Sequence, residues 1–334
     1  MTAIQSDSEQ AGVRMGRRWL YGVIASVVVL TVFGLGDSRY DRVGPGPAIA
    51  VGSPDGGSWS VTTARVRNSN WFQWLGAEIT GERTIRRDGP GSGGDSGGDS
   101  GGAPEPGDAM DTSQTRAVLV AAQLAAGRTP VGAAGLQVTE VTGSARDTGL
   151  NPGDILLAAG RGGDLVPLRA PADLETAVAG RASPQVLVVP RVSAEAWGSA
   201  EIREVPAARL TEVRAGPRVS ATAHRLGAVE GSSAGLILAL ARLDALTSGD
   251  LTGGRRVTGT GEIGLSGNVT GVGEVALKVD AAVEARMDVF FVPFWQRREA
   301  VAAARGTGVR VVPVRTAPEA VQWLCSTGGR APVC

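Results

Sequence analysis

The sequence is poor in the residues on which most metal and catalytic sites depend. Its 334 residues include one histidine, His224, and two cysteines, Cys325 and Cys334. A metal site of imidazole and thiolate ligands therefore lacks its ligands, and we expect no metal or other cofactor. The formal net charge is zero, which gives no indication of nucleic-acid binding. Aromatic residues make up only 4 % of the chain, but 43 % is hydrophobic, enough for two or three domains with buried cores.

Lysine is almost absent. Lysine and arginine together number 33, and Lys278 is the single lysine among them. Arginine cannot lose its proton in a protein, whereas a buried lysine can. The lone lysine either marks a position where arginine is chemically unfit or survives by chance. Lys278 follows Leu277, so no G-x-x-x-x-G-K-[ST] phosphate-binding loop exists, and we expect activity without ATP.

An uncharged apolar run covers residues 19–36. A helix of this length spans roughly 27 Å, close to the ~30 Å hydrocarbon core of a bilayer. Arg14, Arg17 and Arg18 precede it, which favours a cytoplasmic N-terminus at residues 1–18. We therefore predict a single-pass transmembrane helix in the cell membrane, with the rest of the chain extracytoplasmic. A cleaved signal peptide is the alternative, although its apolar region is normally shorter.

Turn residues and β-rich runs follow the apolar segment. We predict a small β-rich segment at 37–88, including a strand at 58–66, and a glycine-rich linker at 89–109. The linker contains the string GDSGG twice, around Ser96 and Ser100. That string surrounds the nucleophile of trypsin-like proteases, but here it is a tandem repeat in low-complexity sequence. We therefore do not interpret either serine as catalytic.

Residues 110–200 begin with a helical run at 114–126 and continue with alternating strands. The order is a strand at Leu136–Val141, the turn GLNPGD at 149–154, a helix at Ala172–Val178 and a strand at Gln185–Val189. This order resembles a PDZ domain of the bacterial protease kind. The resemblance implies binding of a polypeptide C-terminus as an added β-strand, its carboxylate held by backbone N–H groups near Ala133, Ala134, Gly135 and Leu136. A rigid spacer is the alternative role.

Residues 201–334 alternate strands and helices and contain three ordered motifs. These are Gly231-Ser232-Ser233-Ala234-Gly235 before an apolar helix at 235–246, Thr260-Gly261-Glu262-Ile263, and Lys278 on a helix predicted at 275–286. The succession resembles the Lon-type proteolytic domain, which carries G-P-S-A-G at its nucleophile, then T-G-E-I/V, then a lysine on the following helix. The resemblance covers about residues 225–325, and the whole layout resembles bacterial membrane-anchored PDZ–Lon proteases.

The resemblance implies a Ser–Lys dyad. A serine hydroxyl needs a base within hydrogen-bond reach, and a lysine provides one when burial lowers its pKa from ~10.4 towards ~7–8. Ser233 is then the nucleophile, Lys278 the general base, and Thr260 the residue that orients the lysine amine. Glu230 stands where the family has an acidic residue, and we assign no role to Glu262.

Two positions depart from the family pattern. Ser232 replaces the proline before the nucleophile, so either serine is a candidate, although the following Ala-Gly favours Ser233. Glu274 stands where the family usually has glycine, and a carboxylate there would favour the charged lysine and weaken the base. His224 as the base of a Ser–His pair is a further alternative.

The combined prediction is a multidomain α+β chain: transmembrane helix, small β-layer, PDZ domain at 110–200 and C-terminal Lon-type α/β proteolytic domain at 201–334. We expect a serine endopeptidase acting on extracytoplasmic polypeptides. The alternative is an inactive PDZ/Lon-like scaffold or regulatory binding protein. By resemblance a homohexameric ring is expected. An extracytoplasmic location would also favour a disulfide between Cys325 and Cys334 over two free thiols.

Overall fold

The computed structural model describes residues 23–24, 26–28, 30–32, 34–51, 58–80, 84–86, 106–162, 164–193, 196–221 and 231–334. The chain divides into two compact units. The smaller comprises residues 1–44 and 65–93, and the larger comprises residues 45–64 and 94–334. The predicted linker at 89–109 lies outside the described residues as far as residue 105.

The strands are β1 (Asp37–Val51), β2 (Trp59–Asn70), β3 (Thr84–Arg86), β4 (Leu136–Val141), β5 (Ile155–Arg161), β6 (Asp164–Pro167), β7 (Gln185–Val189), β8 (Arg191–Ser193), β9 (Ala196–Trp197), β10 (Glu201–Glu204), β11 (Val213–Gly216), β12 (Val257–Gly259), β13 (Glu262–Ile263), β14 (Val269–Thr270), β15 (Val289–Pro293) and β16 (Arg310–Val314). The helices are α1 (Trp71–Thr80), α2 (Pro106–Ala125), α3 (Pro171–Val178), α4 (Ala207–Leu210), α5 (Gly235–Leu246), α6 (Val275–Glu284), α7 (Arg297–Ala303) and α8 (Ala317–Ser326).

The predicted transmembrane helix at 19–36 is wrong. Residues 19–22, 25, 29 and 33 lie outside the described residues, and those described between 23 and 35 are helical. A strand begins directly after this stretch, at Asp37. Among the described residues, no helix combines the length and apolar character that crossing a membrane requires. The predicted single-pass membrane location, with an extracytoplasmic catalytic domain, depended on this helix and is wrong as well. The described chain is mixed α/β with several sheets.

The smaller unit contains α1, β3 and the outer parts of β1 and β2. β3 pairs antiparallel with β1, with Tyr40 opposite Arg86. Tyr40 also stacks on Trp74 of α1, their ring centroids 5.2 Å apart. The hydroxyls of Ser38 and Ser69 are hydrogen-bonded at 2.8 Å. Aromatic stacking and short polar contacts therefore order this unit.

The first sheet of the larger unit has the order β16-β15-β12-β2-β1. β12 pairs in parallel with β15 on one side and with β2 on the other, where Trp59 lies opposite Val257. Trp59 is buried and donates its indole N–H to Asp244 of α5 at 2.8 Å. β2 thus pairs with a strand nearly 200 residues further along the chain.

The second sheet of the larger unit has the order β10-β7-β5-β4-β11, with β6 paired to β5. Its core contains Leu136, Leu156, Leu174, Val186 and Val188. α3 packs against β5 and contributes Leu174 and Ala177 to this core. The predicted strands Leu136–Val141 and Gln185–Val189 are confirmed with the predicted bounds.

Helix α2 contributes to two hydrophobic cores of the larger unit. Met110, Ala117, Val120 and Ala121 belong to the core that contains α5 and the first sheet. Residues on its other side pack with β5 and β7 of the second sheet, namely Val118, Leu119 and Ala122. A helix buried on opposite sides in this way has little freedom to move alone.

The C-terminal end of the larger unit is fixed by a cap and a disulfide. Thr316 caps α8 by accepting the N–H of Glu319 at 3.2 Å. Cys325, within α8, is bonded to Cys334, the last residue of the chain. The predicted disulfide is therefore present in the structure.

Candidate active site

Ser233 lies in a tight turn, residues Gly231–Ala234, directly before α5; we call it the Ser233 turn. Gly231 has φ 92°, a left-handed conformation that favours glycine. Gly235, the first residue of α5, has no room for a side chain. A Cβ at that position would lie 2.8 Å from Oγ of Ser113 and 2.8 Å from Cγ2 of Ile263. Close packing of α2 and β13 against the turn therefore requires glycine after Ala234.

Backbone and side-chain donors from residues 260–261 hold the Ser233 turn. The carbonyl of Ser233 accepts the N–H of Gly261 at 2.8 Å and the Oγ1–H of Thr260 at 3.2 Å. Leu236 donates its N–H back to the carbonyl of Gly261 at 3.0 Å. Thr260 is buried and follows β12 directly, with its own N–H bonded to Phe291. The central sheet thus sets the position of Ser233.

Ser232 is bonded through both its main chain and its side chain. Its carbonyl accepts the hydroxyl of Ser113 at 3.0 Å. Its own hydroxyl is hydrogen-bonded to Oε1 of Glu262 in a short contact. The other carboxylate oxygen of Glu262 accepts the hydroxyl of Thr270 at 3.3 Å. Ser232 therefore connects the turn to the β13–β14 hairpin.

The hydroxyl of Ser233 differs from that of Ser232. Ser233 is half-buried, and within the described part of the chain its Oγ forms no hydrogen bond. The hydroxyl of Ser232 is instead committed to a carboxylate. Of the two adjacent serines, Ser233 therefore has the hydroxyl available for another partner, which agrees with the register of the sequence motif.

Lys278 lies in the first turns of α6 and is only 6 % exposed. Its helix packs against β12 and β15, with Val275 and Val279 fully buried beside it. Burial of the ammonium lowers the pKa of Lys278 to about 8, although the charges of Glu274 and Glu262 act to raise it. The single lysine of the chain is thus a buried amine whose pKa lies well below the ordinary lysine value.

Glu262 connects the two parts of the candidate site. Its carboxylate is bonded to the side chain of Ser232 and also acts electrostatically on Lys278. The amine of Lys278 is thus within electrostatic range of the carboxylate that accepts the Ser232 hydroxyl. The structure brings Ser233 and Thr260 together directly, through the hydrogen bond from Oγ1 of Thr260 to the Ser233 carbonyl.

Glu274 precedes α6 and has the left-handed conformation, with φ 60° and ψ 38°. Its carbonyl accepts the N–H of Lys278 at 3.1 Å, which closes the first turn of the helix. A left-handed backbone is unfavourable for residues with a Cβ and favours glycine. This geometry gives a physical reason for glycine in the family pattern, and it holds the Glu274 carboxylate near Lys278.

Of the predicted peptide-binding residues of the PDZ-like region, Leu136 is the first residue of β4, and Ala133, Ala134 and Gly135 directly precede it. Ala133 and Leu136 are buried, and Gly135 donates its N–H to the carbonyl of Leu168 at 3.1 Å. β4 is flanked by β5 on one side and by β11 on the other. A peptide strand therefore has no open edge beside β4, and the end of the sheet on that side is β11 (Val213–Gly216).

Several predicted or alternative residues lie outside the described residues. His224 and Glu230 fall within 222–230, and Ser96 and Ser100 fall within 87–105. Ser113 was not predicted as a site residue. Its signal in the sequence is a serine at helical spacing between Met110 and Ala117, on the side of α2 that is buried against α5.

No family model matches the sequence, and no curated protein matches it. The similarity to Lon-type and PDZ domains accordingly remains a hypothesis drawn from the ordered motifs.

Proposed function

We propose that the chain is an ATP-independent serine endopeptidase of the Lon type that uses a Ser233–Lys278 dyad. The observation that carries the proposal is the burial of Lys278, which lowers its pKa to about 8. A lysine with a pKa of about 8 is neutral in about a tenth of the molecules at pH 7, and this neutral form can accept a proton. A surface lysine would remain charged and could not serve as a base.

In the proposed reaction, Oγ of Ser233 attacks the carbonyl carbon of the scissile peptide bond and passes its proton to Nζ of Lys278. The ammonium then returns this proton to the leaving amine, and an acyl-enzyme forms on Ser233. Water, deprotonated by the neutral amine, hydrolyses the ester and restores the serine hydroxyl. The N-terminus of α5, which begins two residues after Ser233, favours the negative charge of the tetrahedral intermediate.

Thr260 is proposed to orient the lysine amine. Its hydroxyl proton is donated to the carbonyl of Ser233, so its oxygen remains able to accept a hydrogen bond from the amine. One side chain then fixes the Ser233 backbone and directs the base. This arrangement would leave the lone pair of the neutral amine free for the proton of Ser233.

The substrates proposed are polypeptides that are already unfolded or loosely folded, since the expected activity uses no ATP. The PDZ-like second sheet is proposed to bind substrate C-termini or to regulate access. β11 is the better candidate for strand addition, because β4 is already paired on both sides. A homohexameric ring is a further proposal by resemblance, and sedimentation analysis of the purified chain would test it.

An inactive scaffold is the second candidate function, and Glu274 favours it. Its carboxylate acts to raise the pKa of Lys278 and so weakens the base. Treatment with a serine-directed phosphonate, followed by mass spectrometry of the labelled peptide, separates the two functions. The endopeptidase proposal predicts a label on Ser233, lost in both Ser233→Ala and Lys278→Ala. A folded parent protein that takes no label would support the scaffold.

A further inference from the structure

Ser113 contributes a part-buried hydrogen bond to the turn that carries the proposed nucleophile. It lies on α2 and is 2 % exposed. Its Oγ donates to the carbonyl of Ser232 at 3.0 Å, although 119 residues separate the two along the chain. A buried serine that pairs with the backbone of a distant turn fixes the relative position of its helix and that turn.

The bonded carbonyl belongs to the peptide unit that joins Ser232 to Ser233. Because a peptide unit is planar, holding the Ser232 oxygen also sets the direction of the Ser233 N–H and the position of its Cα. On the other side of the residue, Gly261 and Thr260 hold the Ser233 carbonyl. Ser233 is therefore held on both sides, once from α2 and once from the end of β12.

The helix that bears Ser113 is itself firmly placed. α2 packs along α5, the helix that begins directly after the Ser233 turn. Its other side packs on the second sheet through Val118, Leu119 and Ala122. α2 approaches the start of α5 so closely that a Cβ at position 235 would lie 2.8 Å from Oγ of Ser113. Ser113 therefore lies on a helix that is packed on two sides, and its hydroxyl lies close to the Ser233 turn.

We propose that Ser113 is a positioning residue that holds Ser233 in its reactive orientation. The inference rests on the proposed function, because it assigns Ser113 a role in reactions at Ser233. A small displacement of a reacting atom lowers a rate strongly without weakening substrate binding by the same factor. Loss of the Ser113 hydroxyl accordingly reduces kcat and leaves KM nearly unchanged.

The test compares Ser113→Ala with a matched variant on the same helix, Thr115→Ala. Oγ1 of Thr115 accepts the N–H of Ala221 at 3.1 Å, so its replacement also removes a side-chain hydrogen bond from α2 but leaves the Ser233 turn untouched. Ser113→Ala is expected to slow phosphonate labelling and kcat by at least about tenfold, with KM within twofold. For Thr115→Ala, the labelling rate, kcat and KM are each expected to stay within twofold of the parent values.

Hydrogen–deuterium exchange gives a readout that does not depend on activity. In Ser113→Ala, amides of residues 231–236 should exchange faster than in the parent, whereas in Thr115→Ala they should not. Equal exchange of this segment in the two variants would overturn the positioning role, whether or not the parent is active. Equal labelling rates in an active parent would overturn it as well. A parent that takes no label would instead contradict the proposed function, and the exchange experiment would still decide the role of Ser113.

Discussion

The Ser233 turn and the first turn of α6 are held in place by different forces. Directional hydrogen bonds from Ser113, Thr260 and Gly261 position the turn. Lys278 lies among apolar side chains, and within the described residues its Nζ forms no hydrogen bond. Under the proposed mechanism, the difference means that Ser233 would depend on precise placement, whereas Lys278 would depend on burial of its amine. Substitutions can therefore perturb the Ser233 turn and the surroundings of Lys278 separately.

The largest effect is expected from replacing the amine while keeping its charge. Lys278→Arg cannot lose its proton, so phosphonate labelling should fall by about a thousandfold or more. Ser232→Ala removes the neighbouring hydroxyl and its bond to Glu262, and labelling should stay within about tenfold of the parent. The phosphonate labelling rates of Lys278→Arg and Ser232→Ala test these two expectations. A Lys278→Arg variant that reacts at the parent rate would show that the lysine is not the base.

Removal of the buried charge is expected to stabilise the protein. Lys278→Met should raise the free energy of unfolding by about 2 kcal/mol at pH 7, because an apolar side chain needs no desolvation of an ammonium. The pKa of Lys278 is about 8 in the folded chain, below the ordinary 10.5. The parent therefore gains stability as the pH rises from 8 to 10.5, and the advantage of the variant should disappear over that range.

Chemical denaturation at pH 7 and at pH 10.5 measures this change. Leu277→Met, at the preceding half-buried position, is the matched control, since it keeps the lysine and changes one apolar side chain for another. The desolvation account is wrong if Lys278→Met is less stable than the parent at pH 7.

Glu274 is expected to affect both the backbone and the base. Glu274→Gly removes a left-handed residue with a Cβ and should stabilise the fold by about 0.5–1 kcal/mol. Loss of the carboxylate should also move the ascending limb of the pH–rate profile to lower pH, because Glu274 acts to raise the pKa of Lys278.

Arg286→Gly is the matched control for Glu274→Gly. Arg286 has φ 56° after the other end of α6, and no other non-glycine residue among the described ones has positive φ. The control should show the stability gain without the change in pH dependence. An equal shift of the pH–rate profile in both variants would refute an electrostatic role for Glu274.

The smallest effect is expected at Thr270. Thr270→Val removes one exposed hydrogen bond of 3.3 Å to Glu262, while the bond from Glu262 to Ser232 remains. A long, exposed hydrogen bond contributes little, so labelling should change by less than about threefold. Comparing the labelling rates of Thr270→Val and Ser232→Ala measures how strongly the position of the Ser233 turn depends on the β13–β14 hairpin. A tenfold loss would mean that the β13–β14 hairpin, and not α2, controls the turn.

Local patterns predicted much of the larger unit. The apolar run of α5 and the strands β4 and β7 were predicted with their observed bounds. These segments have clear hydrophobic periodicity or continuous apolar character, and glycine or proline marks several of their ends. The ordered motifs also predict that Ser233, Thr260 and Lys278 form one catalytic site, and that grouping stays a prediction.

Contacts between distant segments could not be predicted in the same way. The pairing of β2 with β12 and the bond from Ser113 to Ser232 join residues far apart in the chain, and a single sequence carries no local signal for them. The error at residues 19–36 has a related cause. An apolar run of that length satisfies a hydropathy criterion, but hydropathy alone does not establish that the run forms a membrane-spanning helix.

The most direct test of the account is an NMR titration of the single lysine. A sample grown with lysine labelled with ¹³C at Cε should give one protein resonance, because Lys278 is the only lysine in the chain. The account predicts a titration midpoint near pH 8, in agreement with the pKa of about 8 produced by burial. A midpoint near 10.5, the ordinary value for an exposed lysine, would contradict the claim that Lys278 is a buried general base.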